Sequence, residues 1–299
     1  MATEALVVHE QPRHAAGKIV SHPSHPAREA RQRLDLGGVL IDRVDVGSAV
    51  ERIRGFLRSG RLNQIVTVNL DFVAIARRDA DFKDTLNEAD LAVADGLPLV
   101  WASRLTDEPL PQRLTGVELV DECCRVAVET DSSVFLLGAA PGVADEAADT
   151  LQRRFPGLRI AGVYAPPFGP LTVEENERIL AKINEARPEF LFVALGAPQQ
   201  DVWIRANRHR LDVPVCMGVG CVLDLLAGIV SRAPSWMQHT GLEWLFRLMQ
   251  EPGRLWRRYM LDDLPALVWL VRQLRARRSS PPPSSGISTA SGAAAGGVR

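Results

Sequence analysis

An aspartate at the end of an apolar run, Leu-Ala-Val-Ala at 91–94 followed by Asp95-Gly96, is the residue best placed in this sequence to move a proton. Partial burial at such a position raises a carboxyl pKa and makes a usable general base. The plainer alternative is that Asp95 caps the helix expected from Leu97, a role aspartate often fills. Thr67 and Asn69 close a second apolar run. Three more runs end in turn-forming stretches: Gly138-Ala-Ala-Pro-Gly142, Gly196-Ala-Pro-Gln-Gln200-Asp201, and Gly218-Val-Gly220 with Asp224 one turn further on. Glycine turns of this kind can bring backbone N–H groups to a phosphate at a helix N-terminus. None of them matches GxGxxG or the phosphate-binding P-loop. Gln200 falls in the first turn of an expected helix, where its amide either reaches a ligand phosphate or is simply solvated.

Metal chemistry has little support. The one Asp-x-Asp, Asp79-Ala-Asp81, lies behind Arg77-Arg78 in a charged helical turn rather than at a strand end, and reads as a solvated face. His209 and His239 have no second ligand at metal spacing. The four cysteines, Cys123, Cys124, Cys216 and Cys221, lack CxxC spacing and read as reduced and structural. No local pattern suggests a Ser-His-Asp or Cys-His arrangement, and neither a metal nor another cofactor is expected.

These residues need elements to hold them. Short apolar runs at 64–69, 91–94, 133–138, 159–164, 190–196 and 213–218 read as buried strands. Helical stretches at 71–78, 97–104, 117–128, 143–155, 173–186 and 200–210 follow them. Alternation at this spacing predicts an α/β fold: a mostly parallel, Rossmann-like sheet with helices on both faces. Ligands of such sheets sit beyond the carboxyl ends of the strands, where the polar and glycine positions above fall. Residues 37–233 are expected to form this catalytic domain. Residues 1–36, which hold His9, His14, His22 and His25, read as a disordered tail, as does the low-complexity stretch 279–299.

Residues 234–278 have a different composition. Trp236, Trp244, Trp256 and Trp269 lie there with Arg247, Arg254, Arg257, Arg258, Arg272, Arg275, Arg277 and Arg278, against only Glu243, Glu251, Asp262 and Asp263. Rings for the headgroup boundary and guanidinium groups for phosphates are what an interfacial helical appendage needs. The alternative is a helical hairpin packing its aromatics inward. The formal net charge of −1 excludes a general nucleic-acid glove, so the basic character is local. With no signal architecture at the N-terminus and no run of 18 apolar residues, the chain is expected to be cytoplasmic and peripheral to the inner face of the cell membrane. Oligomeric state is left open, a homo-oligomer included.

Taken together, the motifs resemble the WecG/TagA/CpsF glycosyltransferases. They are Thr-x-Asn at 67–69, Ala-Asp-Gly at 94–96, Arg-x-Thr-Gly at 113–116, Leu-Gly-x-x-Pro-Gly at 137–142 and Pro-Pro-Phe at 166–168. Leu-Gly-x-Pro-x-Gln at 195–200, Gly-Val-Gly followed by Asp224, Arg-Ala-Pro-x-Trp-Met at 232–237 and Gly-Leu-Glu-Trp-Leu-Phe-Arg at 241–247 complete the series. The resemblance covers about residues 38–262. It implies an inverting, metal-independent transferase that moves a sugar from a UDP-sugar to a polyprenyl-diphosphate-linked acceptor sugar at the membrane surface. It also implies that Asp95 is the general base with Thr67 and Asn69 in the same cleft, that Gln200 contacts the donor diphosphate, and that Asp224 lies at the nucleotide's base end. Arg113, Gly138, Gly196, Gly218 and Gly220 would line the substrate site. Arg247, Arg254 and Arg257 would belong to an appendage closing over it, on one helical face if the helix continues through Pro252. One departure is Gln199-Gln200-Asp201 where the family commonly has Lys-Gln-Glu, which removes a positive charge near the phosphates. Two other readings compete: a nucleotide-cofactor oxidoreductase, which lacks its GxGxxG and ribose-binding acid here, and a non-catalytic partner protein recruited to membranes.

Overall fold

The computed structural model describes residues 31–240 and 242–279. An antiparallel hairpin, β1 (Arg33–Leu36) and β2 (Val39–Asp42), leads into α1 (Val46–Ser59). There follow β3 (Asn63–Val68), α2 (Leu70–Ala76), α3 (Ala80–Glu88), β4 (Leu91–Ala94), α4 (Leu97–Ser103), α5 (Gly116–Glu129) and β5 (Ser133–Gly138). Next come α6 (Val143–Arg154), β6 (Arg159–Tyr164), α7 (Val173–Ala186), β7 (Phe190–Ala194), α8 (Gln199–Ala206), β8 (Val215–Gly218) and α9 (Val222–Leu226). The C-terminal segment is α10 (Ser235–Thr240), α11 (Glu243–Gln250), α12 (Pro252–Arg257), a π-helical turn (Arg258–Asp263) and α13 (Leu264–Ser279). Local chemistry sets many of the helix starts. The side chains of Asp45, Asn69, Asp79, Thr115 and Thr172 each accept a first-turn N–H, and Thr115 forms a capping box with Glu118.

Strands β3 to β8 form one all-parallel sheet in the order β4-β3-β8-β7-β5-β6. Successive side chains on a strand point to opposite faces, and the packing follows that alternation. Ile65, Val93, Leu136, Phe192 and Met217 pack with α1, α5, α6 and α9. Val66, Ala92 and Ala94 pack with α2, α3, α4 and α13, and Phe135, Leu191 and Cys216 with α7 and α8 on that same side. This is the α/β architecture expected, with helices on both faces. The helix after β3 lies on one face and the helix after β8 on the other, so a crevice opens at the carboxyl ends of this adjacent pair.

The N-terminal boundary differs from the sequence reading. Strand β1 lies inside the stretch 1–36 assigned to the N-terminal tail; the remainder of that stretch, residues 1–30 with the four histidines, and residues 280–299 lie outside the described residues. The C-terminal segment docks on the domain. Leu270 and Leu274 of α13 enter the core beside the hairpin, and Trp269 lies over Gly37, where a Cβ would come within 2.7 Å of the ring. The Arg77 guanidinium covers Trp269, 4.1 Å from the ring centroid. No helix among the described residues is long and apolar enough to cross a membrane.

Candidate active site

Asp95 sits at the carboxyl end of β4, and the backbone fixes it on both sides. Its N–H donates to the carbonyl of Val68 at 2.7 Å, and the Ala94 carbonyl accepts from Leu114 N–H at 2.9 Å. The alternative role as a helix cap is not what the structure shows: Gly96 is the N-cap of α4, without a side-chain cap bond. The carboxylate instead accepts from the Gly116 N–H at 3.3 Å. Burial pushes its pKa up to about 6; Glu243 adds to the rise, while the Gly116 N–H, Arg247 and Arg113 oppose it. A carboxyl held near neutrality, yet hydrogen-bonded and aimed at a cleft, is suited to accept a proton from a hydroxyl.

Thr67, at the end of β3, faces the same point. A methyl placed on Gly116 would lie 3.8 Å from Thr67 Oγ1 and 3.9 Å from Asp95 Oδ2. The Arg-x-Thr-Gly motif therefore has three separable tasks. Gly116 anchors the aspartate, Thr115 caps α5, and Arg113 sends its guanidinium toward the C-terminal segment. Asn69 lines the β3 end with its amide engaged as the cap of α2, Oδ1 accepting from Phe72 N–H at 3.0 Å.

The appendage supplies the next charge. Arg113 Nη1 lies 3.3 Å from Glu243 Oε2, Arg247 Nη2 lies 3.6 Å from Glu243 Oε1, and Arg247 Nη1 donates to Cys221 Sγ at 3.7 Å. Arg247 thus reaches the Asp95 cleft from α11. The three arginines do not share one continuous helix. The chain breaks at Glu251, α12 begins at Pro252, and Arg257 is exposed on that separate helix. Proline lacks the N–H needed to continue the ladder. The side chains of Arg254 and His239 lie outside the described ones. The sequence offers Glu243 only as one acid among many basic residues and Cys221 only as a structural cysteine; the structure puts Cys221 in a partly exposed position at the cleft.

The glycine-rich ends of β5, β7 and β8 make the other half of the cleft. Gly138 is required by close approach, because a Cβ there would meet the Ala194 carbonyl oxygen at 2.4 Å. Gly218 is required likewise: a Cβ would meet Asp201 Oδ1 at 2.5 Å and Gln200 Nε2 at 2.6 Å. Gln200 is not solvated. It is buried under the β8 end, where its Oε1 accepts from Gly220 N–H at 3.0 Å and its Nε2 faces Asp201 Oδ2 at 3.4 Å. Burial pushes the Asp201 carboxyl up to about 7. Gly196 and Gly220 both take positive φ, and neither has an atom within 4 Å of where a Cβ would stand, so each leaves backbone open at the crevice. Asp224, in the first turn of α9, is partly buried, its pKa raised by burial and by Glu251. Both acids of the Asp-x-Asp are engaged elsewhere: Asp79 caps α3, and Asp81 pairs with Arg205 at 2.8 Å.

A family model described as the glycosyl transferase WecG/TagA/CpsF family matches residues 34–280. The chain is also similar to N-acetylglucosaminyldiphosphoundecaprenol N-acetyl-beta-D-mannosaminyltransferases of Staphylococcus aureus, from strains MW2 and NCTC 8325 / PS 47. Each is 31% identical over 252 residues, covering 84% of this chain and 96% of the relative.

Proposed function

The chain belongs to the WecG/TagA/CpsF glycosyltransferase family, and from that premise we propose that it transfers a sugar from a UDP-sugar, with inversion, to a saccharide carried on polyprenyl diphosphate at the membrane surface. The observation that carries this reading is the convergence of Asp95, Thr67, Arg113 and Arg247 at the carboxyl end of the sheet, next to glycine turns with open backbone. In the step, an acceptor hydroxyl loses its proton to Asp95 as its oxygen bonds to the anomeric carbon. The bond from that carbon to the donor phosphate breaks, and the electron pair leaves with UDP. A single displacement places the new bond opposite the old one, which inverts the centre. Arg113 and Arg247 stabilise the charge developing on the leaving diphosphate. Gln200 serves by holding the Gly220 turn in shape, a positioning role supported by its bond to Gly220 N–H.

The relatives' names make an N-acetyl-D-mannosaminyl group the first donor sugar to try and an N-acetylglucosaminyl-diphosphate lipid the first acceptor. Membrane association is supported by the exposed Trp236, Trp244, Met249, Trp256, Met260, Leu261 and Leu264 of the appendage, interleaved with arginines. The test is a panel of UDP-sugars with a short-chain lipid-diphosphate acceptor, reading released UDP and the configuration of the product linkage. Release with one donor, an inverted product and persistence in excess EDTA are expected. Loss of activity in EDTA restored by Mg²⁺ would refute the metal-independent step, and absence of transfer with every donor would refute the reading itself.

A further inference from the structure

One carboxylate in this cleft has no place in the transfer step. Glu243 opens α11, partly buried, and gives one oxygen to Arg113 of the sheet domain and the other to Arg247 of its own helix. A carboxylate gripped through both oxygens by two guanidinium groups occupies the site that two phosphoryl oxygens would fill. Around the base the charges balance: Arg113 and Arg247 face Glu243 and Asp95. An arriving diphosphate adds negative charge to a neutral cluster, and both guanidinium groups it needs are already engaged by Glu243. The carboxylate must therefore give way. Its helix permits that, since no residue of α11 is fully buried and the tie that Glu243 makes to the sheet domain is an ion pair.

We propose that Glu243 is an internal stand-in for the substrate diphosphate, holding Arg113 and Arg247 at the place the diphosphate takes and exchanging with it on binding. This rests on the glycosyltransferase reading above. The exchange couples entry of a diphosphate to movement of α11, so the appendage is set in advance over the cleft and released by the group it will bind.

The test is titration of wild type, Glu243→Gln and Glu243→Asp with inorganic pyrophosphate and with UDP at fixed ionic strength. Removing the competing charge should tighten pyrophosphate binding about tenfold in Glu243→Gln, a 1.4 kcal/mol effect. Glu243→Asp, too short to span both arginines, should fall between the two. Turnover should not rise in parallel, because the arginines lose the group that spaces them. The acid limb of kcat/KM should also move to lower pH, since the charge that raises Asp95 is gone while Arg113, Arg247 and the Gly116 N–H remain. In an Arg247→Ala background the tightening should vanish. Weaker or unchanged binding in both Glu243 variants would overturn the stand-in and make Glu243 a structural pin. Wild type that binds neither ligand would instead overturn the glycosyltransferase reading.

Discussion

Asp95 and Arg247 meet at one cleft but are held there by opposite means. Asp95 ends a strand whose every residue is buried, with backbone hydrogen bonds on both sides and the Gly116 N–H on its carboxylate. Arg247 rides on a helix with no fully buried residue and is tied down by Glu243 and Cys221. The appendage is packed at its two ends. Ala233 and Met237 are buried where it leaves the sheet domain, and Ala266, Leu270 and Leu274 are buried in α13. Between those anchors it buries Leu255 and Tyr259, exposes many of its other large apolar side chains, and pairs with the domain through Arg258–Asp71 and Arg78–Asp262. Free energy for local opening is lowest where buried apolar contact is least. Under the proposed function, a rigid base and a movable cation would suit a site that admits a bulky lipid-linked substrate and then encloses a leaving diphosphate.

That contrast can be broken or sharpened by substitution. Arg247→Ala should lower turnover on a soluble short-chain acceptor by roughly 10²–10³-fold, the range for losing one preorganised charge donor, with UDP release as the readout. Full activity would reduce α11 to a membrane anchor. Leu270→Ala removes a fully buried side chain at the far anchor and should cost about 2–5 kcal/mol, read by denaturant unfolding. A loss much below that would mean α13 undocks without disturbing the sheet. Arg78→Ala breaks an exposed pair with Asp262 and should change stability by only ~0–1 kcal/mol in the same assay.

Proton affinity gives a further handle on the rigid half. Asp95 is raised from 3.8 to about 6, so its protonated, inactive form should dominate below that pH and kcat/KM should climb through it. Because the folded protein binds this proton more tightly than the unfolded chain, ionising Asp95 costs native stability as pH rises from 3.8 toward 6. Asp95→Asn should therefore be at least as stable as wild type at pH 7, measured by thermal melts. A lower melting temperature would make Asp95 a structural residue.

The sequence made the sheet legible because its strands are continuous apolar runs bounded by glycine and polar residues. The runs at 91–94, 133–138 and 159–164 and the helix at 173–186 match β4, β5, β6 and α7. What escaped depended on partners distant in the chain. Strand β1 is short and polar, and its neighbours hold it: Arg33 donates to the carbonyls of Asn87 and Ala89, and Trp269 covers the Gly37 turn. Helix α1 carries Gly47 and Gly55, which weaken helical propensity, and gains its order by burying Ala49 and Ile53. Asp95 and Thr67 stand out by strand-end position and Arg113 by motif. Gln200 falls in the first turn of α8 as expected, but its orientation follows from the missing side chain at Gly218, which no local pattern reveals. Glu243 was invisible for a related reason, since its two guanidinium partners meet only when the appendage folds back over the cleft.

If a sheet-mounted carboxylate takes the acceptor's proton, turnover of Asp95→Asn on the soluble acceptor must show it. Transfer should fall by ~10²–10⁴-fold, as loss of a positioned general base does, while UDP binding measured on the same preparation stays at the wild-type level. Retention of more than about a tenth of wild-type turnover, above the residue that loss of such a base leaves, would contradict the assignment.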